Sequence, residues 1–141
     1  MRFEHNVWGP HYWFFLHTIA HSYPTHPNEV TKRKYYDLIM NMPIFIPHRE
    51  FGDNFAELLD KYPVTPYLDS RESFTRWVNF IHNKINHILG KPEVPYLESL
   101  ELYKSYYKPT EIVISEKIKI SKKIILFSLI ILMIILIYYF Y

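Results

Sequence analysis

The sequence predicts an all-α protein, a four-helix bundle with a short fifth helix followed by a C-terminal transmembrane helix. Three observations predict it. Only three glycines occur in 141 residues, too few for the turns of a β-rich chain. Apolar residues recur at helical spacing in segments with the prolines between them, where they end helices rather than break them. From Ile124 onward the chain is an uncharged apolar run. With 49% hydrophobic and 18% aromatic residues there is enough material to bury a core.

The elements follow in order. "WGPHYWFFLHTIAHSYP" places Pro10 at a first helical position and stops before Pro24, giving a helix of about three turns. Asn28 caps a second, which runs through "EVTKRKYYDLIMNM" to Pro43. "HREFGDNFAELLDKY", between Pro47 and Pro63, makes a third, weakened by Gly52. Asp69 caps a fourth, long helix, Glu72 completes a capping box, and Gly90 with Pro92 closes it. "PYLESLELYKSYY" supplies the short fifth. Residues 1–108 thus form one helical domain, 109–123 a linker and 124–141 an anchor. "TEIVISEKIKI" within the linker reads equally as an extended segment or as an upward continuation of the last helix.

"IILFSLIILMIILIYYFY" contains no charge, and at about 1.5 Å per residue it spans roughly 27 Å, enough for a thin bilayer core. A domain of this size has no means of wrapping a helix that is apolar all round. Tyr138, Tyr139, Phe140 and Tyr141 suit the far headgroup region, and Lys117, Lys119, Lys122 and Lys123 mark the near side. The positive-inside preference places that side in the cytosol. The expectation is a single-pass, C-terminally anchored protein whose soluble domain faces the cytosol. The N-terminal apolar run, broken by His11 and His17, is far short of an export signal.

Composition also excludes. A net charge of +2 with no basic face leaves no footprint for nucleic acid. The absence of cysteine excludes disulfides, thiolate metal sites, a cysteine nucleophile and any dithiol chemistry carried by this chain.

The fourth helix holds the chemistry. At about 100° per residue, Phe74, Trp77, Val78, Ile81, Ile85, Ile88 and Leu89 share one arc, the core-facing stripe. His82, Asn79, Asn83 and Asn86 lie together along its edge as neutral groups that both donate and accept. Such a strip suits a large ligand with alternating donors and acceptors. An ordinary solvated border with local hydrogen bonds has the same pattern. On the first helix Trp13, His17 and His21 follow at one-turn intervals. His17 and His21 also have the reach of a zinc pair, but no HExxH pattern or carboxylate accompanies them, and no metal site is assigned.

These two segments carry a resemblance. "WGPHYWFFLHTIAHSYP" resembles the opening motif of the Erv/ALR family of FAD-linked sulfhydryl oxidases, which includes small members carried by large DNA viruses. "FTRWVNFIHNKINHILGKP" is similar to that family's W-x-C-x-x-HN-x-VN-x-x-LGKP signature, with Ile85 for the usual Val. The resemblance extends from about Trp8 to Tyr96 and implies a four-helix bundle with a short fifth helix, cradling FAD, usually as a homodimer. It implies Gly9, Trp13, His17, Tyr23, His82, Asn83, Ile85, Asn86 and Lys91 as the flavin contacts. Lys91 would supply a cation near the phosphates and Trp13 a stacking surface.

The departures lie at the cysteines. Where the resemblance implies a redox PC-x-x-C motif, the chain reads "IPHREF", with His48 and Phe51 at the two cysteine positions. Where it implies a structural cysteine pair, the chain has Asn79 and Tyr96. Sulfhydryl oxidation needs thiol–disulfide exchange and thiolate attack on flavin. Imidazole and phenyl do neither. No catalytic residue is therefore assigned. The leading reading is a membrane-anchored FAD binder or scaffold that pairs with itself or with an active paralogue. A flavin-dependent thiol oxidase served directly by substrate or partner thiols is a second reading, and a membrane-surface protein with an empty pocket is a third.

Overall fold

The computed structural model describes residues 3–109 and 111–140. It contains α1 (His5–Ser22), α2 (Glu29–Asn41), a 3-10 turn (Met42–Phe45), α3 (Arg49–Lys61), a second 3-10 turn (Thr65–Tyr67), α4 (Arg71–Ile88), α5 (Tyr96–Ser105) and α6 (Glu111–Phe140). No strand occurs among the described residues, and the all-α expectation holds. The chain divides into two compact units, Met1–Tyr103 and Lys104–Tyr141.

In the first unit α1 packs most extensively on α4. The core between the helices holds Leu16 and Ala20 from the first helix with Tyr23 just after it, Ile39 from the second, Phe55 and Leu59 from the third, and Phe74, Trp77, Val78, Ile81 and Ile85 from the fourth. The predicted stripe of α4 is buried over these five positions. Of the remaining two, Ile88 is 50% exposed at the end of the helix, while Leu89 packs partly buried against the core.

Two helix starts differ from the sequence reading, each because of a partner distant in sequence. Helix α1 begins at His5 rather than Pro10, so the proline lies inside it. The extra turn is held from outside by Phe51 of α3, which Trp8 meets edge-on and His5 packs against. Tertiary contact thereby offsets the lost proline hydrogen bond. Helix α4 is capped by Ser70, not Asp69: the Ser70 hydroxyl accepts from the Ser73 N–H at 3.2 Å, while Asp69 bonds Lys32 at 2.8 Å. Glu72 holds Arg76 instead of closing a capping box. Asn28 does cap α2, accepting from the Thr31 N–H at 2.8 Å, an interaction of about 1 kcal/mol.

Gly52 has a role that helix propensity does not show. It is buried where α3 meets the first 3-10 turn, and a Cβ there would lie 2.8 Å from the Pro43 carbonyl oxygen. The missing side chain is what allows the two backbones to approach.

In the second unit, α6 is one continuous helix from Glu111, which decides between the two forms left open for the stretch before the apolar run. Within it Ser115–Phe140 is long and apolar enough to cross a membrane, with a mean hydropathy of 2.6 over its most apolar 18 residues. Tyr141, grouped by sequence with Tyr138 and Tyr139, lies outside the described residues.

Candidate functional site

Two helices bring the imidazoles together. His17 projects from the middle of α1 and His82 from α4, and His17 Nε2 lies 3.1 Å from His82 Nδ1, so one ring's N–H donates to the other's lone pair. Trp13, one turn before His17, stacks on His82 with centroids 4.0 Å apart and planes within 9°. Phe55 of α3 meets Trp13 edge-on and backs this stack from the core. On the other side His21 stacks on Tyr103 at 4.3 Å. Neither Phe55 nor Tyr103 carried a sequence signal, since both look like ordinary apolar-face residues.

Burial sets the charge state. Desolvation, helped by His21, lowers the His17 pKa to about 4. Desolvation, then His17 and Lys91, lowers that of His82 to about 3. Both rings are neutral near pH 7, and no carboxylate contributes to either shift. His17 Nδ1 and His82 Nε2 have no protein partner among the described residues. A neutral donor–acceptor pair beside an indole is thus available to a flat, uncharged, hydrogen-bonding group.

Below this pair, α4 ends in a Schellman cap. Gly90 adopts φ +67°, a conformation that disfavours any side chain, its N–H donates to the His87 carbonyl at 3.1 Å, and the Lys91 N–H donates to the Asn86 carbonyl at 2.8 Å. The cap turns the chain so that Lys91 adds its positive field to His82. Among the described residues Lys91 makes no ion pair. It remains a free cation for an anionic group.

The amide strip divides in two. Asn83 Oδ1 accepts from the Val94 N–H at 2.9 Å, and its Nδ2 donates to the Val94 carbonyl at 2.8 Å. Asn79 Nδ2 donates to the same carbonyl at 3.3 Å. Asn86 is buried on α4 with its Nδ2 3.5 Å from Asn83 Oδ1. Val94 as the anchor point was not foreseen, because a backbone acceptor leaves no trace in residue type.

The other expected positions lie apart from the pair. Gly9 stands one turn before Trp13 on α1, with open space where a Cβ would be. Tyr23 is in the core, its hydroxyl donating to the Leu68 carbonyl at 2.8 Å. Ile85 is 7% exposed within the core cluster. His48 and Phe51 sit at the start of α3, where Phe51 is enclosed by His5, Trp8 and His48 at centroid distances of 5.2, 5.9 and 5.3 Å. Phe51 and Phe55 are one turn apart, so this aromatic plug adjoins the helix face that backs Trp13. No cluster able to hold a metal ion occurs among the described residues.

The profile of the Erv1 / Alr family matches residues 10–107. The chain is 35% identical over 103 residues to a probable FAD-linked sulfhydryl oxidase of Acanthamoeba polyphaga mimivirus, covering 72% of each chain. It is 36% identical over 83 residues to an FAD-linked sulfhydryl oxidase of Arabidopsis thaliana, covering 59% of this chain and 42% of that one. It therefore spans about two fifths of the plant protein's length. Among solved structures, the FAD binding domain of Erv1 from Saccharomyces cerevisiae superposes with a TM-score of 0.68 at 25% identity, covering 74% of this chain and 97% of that one. The yeast Erv1 core, at 24% identity and a TM-score of 0.65, shares the fold.

Proposed function

The chain belongs to the Erv1 / Alr family, and from that premise we propose that it is a membrane-anchored FAD-binding member without the thiol relay, acting as a binding or scaffold protein. The observation that carries the reading is the neutral His17–His82 pair, its His82 ring stacked on Trp13 and the free cation of Lys91 beside it, in a chain with no cysteine.

The donor set fits the cofactor. A bound flavin supplies the capacity to accept and pass on an electron pair. The residues here bind and orient: His17 and His82 offer neutral donors and acceptors to its polar edge, and Trp13 offers a ring face. Lys91 neutralises phosphate. Gly9 keeps the backbone of α1 open to approach, and Tyr23, Ile85, Asn83 and Asn86 belong to the frame that holds these groups. Reduction of flavin by substrate thiols lacks its route. His48 and Phe51 form no mixed disulfide, and the Phe51 plug blocks the start of α3 to a thiol from outside.

Residues 1–108 are the cofactor domain in this reading, 124–141 the anchor and 109–123 the connection. The length and apolarity of α6 support a single membrane pass, and the four lysines ahead of its apolar run support a cytosolic face for the soluble domain. A groove of about 420 Å³ on α1, α2 and the first 3-10 turn, lined by Tyr12, Phe15, Leu38, Met42 and Phe45 beside His11, supports pairing with a second copy or an active relative. The test is the visible absorption of the full chain purified in detergent, with FAD identified after denaturation. Bound flavin together with dithiothreitol-dependent oxygen uptake no faster than that of free FAD is the expected result. A chain that stays colourless when given FAD overturns the cofactor reading.

A further inference from the structure

We propose that Asn83 and Asn79 are positioning residues: they clamp the backbone of Val94 and so hold the loop that presents the Lys91 ammonium beside His82, without touching the cofactor themselves. The role given to Lys91 rests on the FAD reading above, while the clamp does not.

The hydrogen-bond capacity of Asn83 is nearly exhausted. Its carbonyl oxygen takes the Val94 N–H and stands 3.5 Å from Asn86 Nδ2, and its amide nitrogen gives one proton to the Val94 carbonyl. Asn79 supplies the second donor to that carbonyl. A two-point amide contact to one residue's backbone fixes both position and rotation, as paired strands do, and water does not readily replace it in a part-buried setting. Two residues on, a second anchor repeats the arrangement. The Thr75 and Tyr96 hydroxyls are 3.0 Å apart, and the Arg76 guanidinium lies 4.4 Å over the Tyr96 ring. At the other end the Schellman cap fixes Gly90 and Lys91 to α4.

The loop from Gly90 to Val94 is therefore tied to one helix at both ends, and Lys91 lies within it. Releasing the Val94 end leaves the Lys91 N–H bond to the Asn86 carbonyl as the nearest restraint, so the chain pivots there and the Lys91 side chain is no longer confined beside His82. The amides on this helix edge thus act on the site at one remove.

The test uses the full chain in detergent and needs no cofactor for its first two readouts. In Asn83→Ala, exchange of the Val94 amide hydrogen quickens at least tenfold, and the His82 titration followed by NMR moves up toward the ordinary imidazole range by as much as it does in Lys91→Ala. An unchanged Val94 amide overturns the clamp. A freed Val94 amide with an unmoved His82 titration overturns the link to Lys91. Asn79→Ala, which removes one of the three bonds, gives intermediate shifts and replaces Asn83→Ala should that variant not fold. With FAD added, Asn83→Ala and Lys91→Ala each weaken binding about tenfold, and the double variant is within threefold of Lys91→Ala alone. Losses that multiply to a hundredfold mean direct contact by Asn83 and overturn the proposal. Absence of FAD uptake by the parent chain overturns the cofactor reading, and the two exchange and titration results then decide the clamp.

Discussion

The α1–α4 cleft and the start of α3 share a neighbourhood but not a chemistry. In the cleft, buried polar side chains are matched to one another: His17 bonds His82, Trp13 stacks on it, and no buried side-chain polar atom is left unpartnered among the described residues. At the start of α3, His5, Trp8 and His48 surround Phe51 through ring contacts, with His48 exposed. The first region presents a polar edge beside a ring stack and the second fills space with ring contacts. The contrast teaches that the two regions rest on separate sets of contacts, so one can be kept while the other is rebuilt.

The largest effect should come from rebuilding the second region. His48→Cys with Phe51→Cys places two thiols three residues apart at a helix N-terminus, where the helix dipole favours the thiolate. Dithiothreitol-dependent oxygen uptake is then expected to rise at least tenfold over the parent. No rise in a flavin-loaded double variant means that more than two side chains separates the regions.

A smaller effect follows from the depressed imidazoles. His17 and His82 titrate near 4 and 3 when folded, against about 6.5 unfolded. Between these values the unfolded chain binds more protons, so stability rises with pH through the window and is lost as pH falls below about 6.5. The melting temperature should drop on the order of 10 °C from pH 7 to 4.5, and less steeply in His82→Gln. Equal slopes in the two proteins would mean that carboxylates alone set the pH dependence.

The smallest effect probes the packing under the plug. Gly52→Ala gains about 1 kcal/mol of helix propensity but drives a methyl against the Pro43 carbonyl, an overpacking cost of about 1–3 kcal/mol. Clash should outweigh propensity, lowering the melting temperature by about 5 °C. A more stable variant would show that the 3-10 turn yields at little cost.

Periodicity and proline placement made the bundle legible, because both act within one turn of the chain. The same locality explains the misplaced start of α1. Pro10 forecasts a first turn, but Phe51, far away in sequence, lends Trp8 and His5 the contacts that carry the helix back to His5. Asp69 and Ser70 are both good caps by type, and the choice between them was made by Lys32, which takes the aspartate. In the site, Trp13, His17 and His82 were legible because each lies on a one-turn repeat and the motifs they belong to were kept. That the rings of His17 and His82 bond each other depends on how α1 crosses α4, which neither helix encodes alone. The amides were legible as a hydrogen-bonding strip along the helix edge, but Val94, to which two of them are bonded, shows no sign of it in its own side chain.

The tether at Val94 has one more consequence. It joins α4 to the chain that follows by amide hydrogen bonds and, at Tyr96, by a hydroxyl pair and a stacked guanidinium. None of these contacts accepts electrons. The folded unit is therefore indifferent to the redox poise around it, keeping the same shape in glutathione-rich surroundings as in oxidising ones, and its stability sets no limit on which of the two it inhabits.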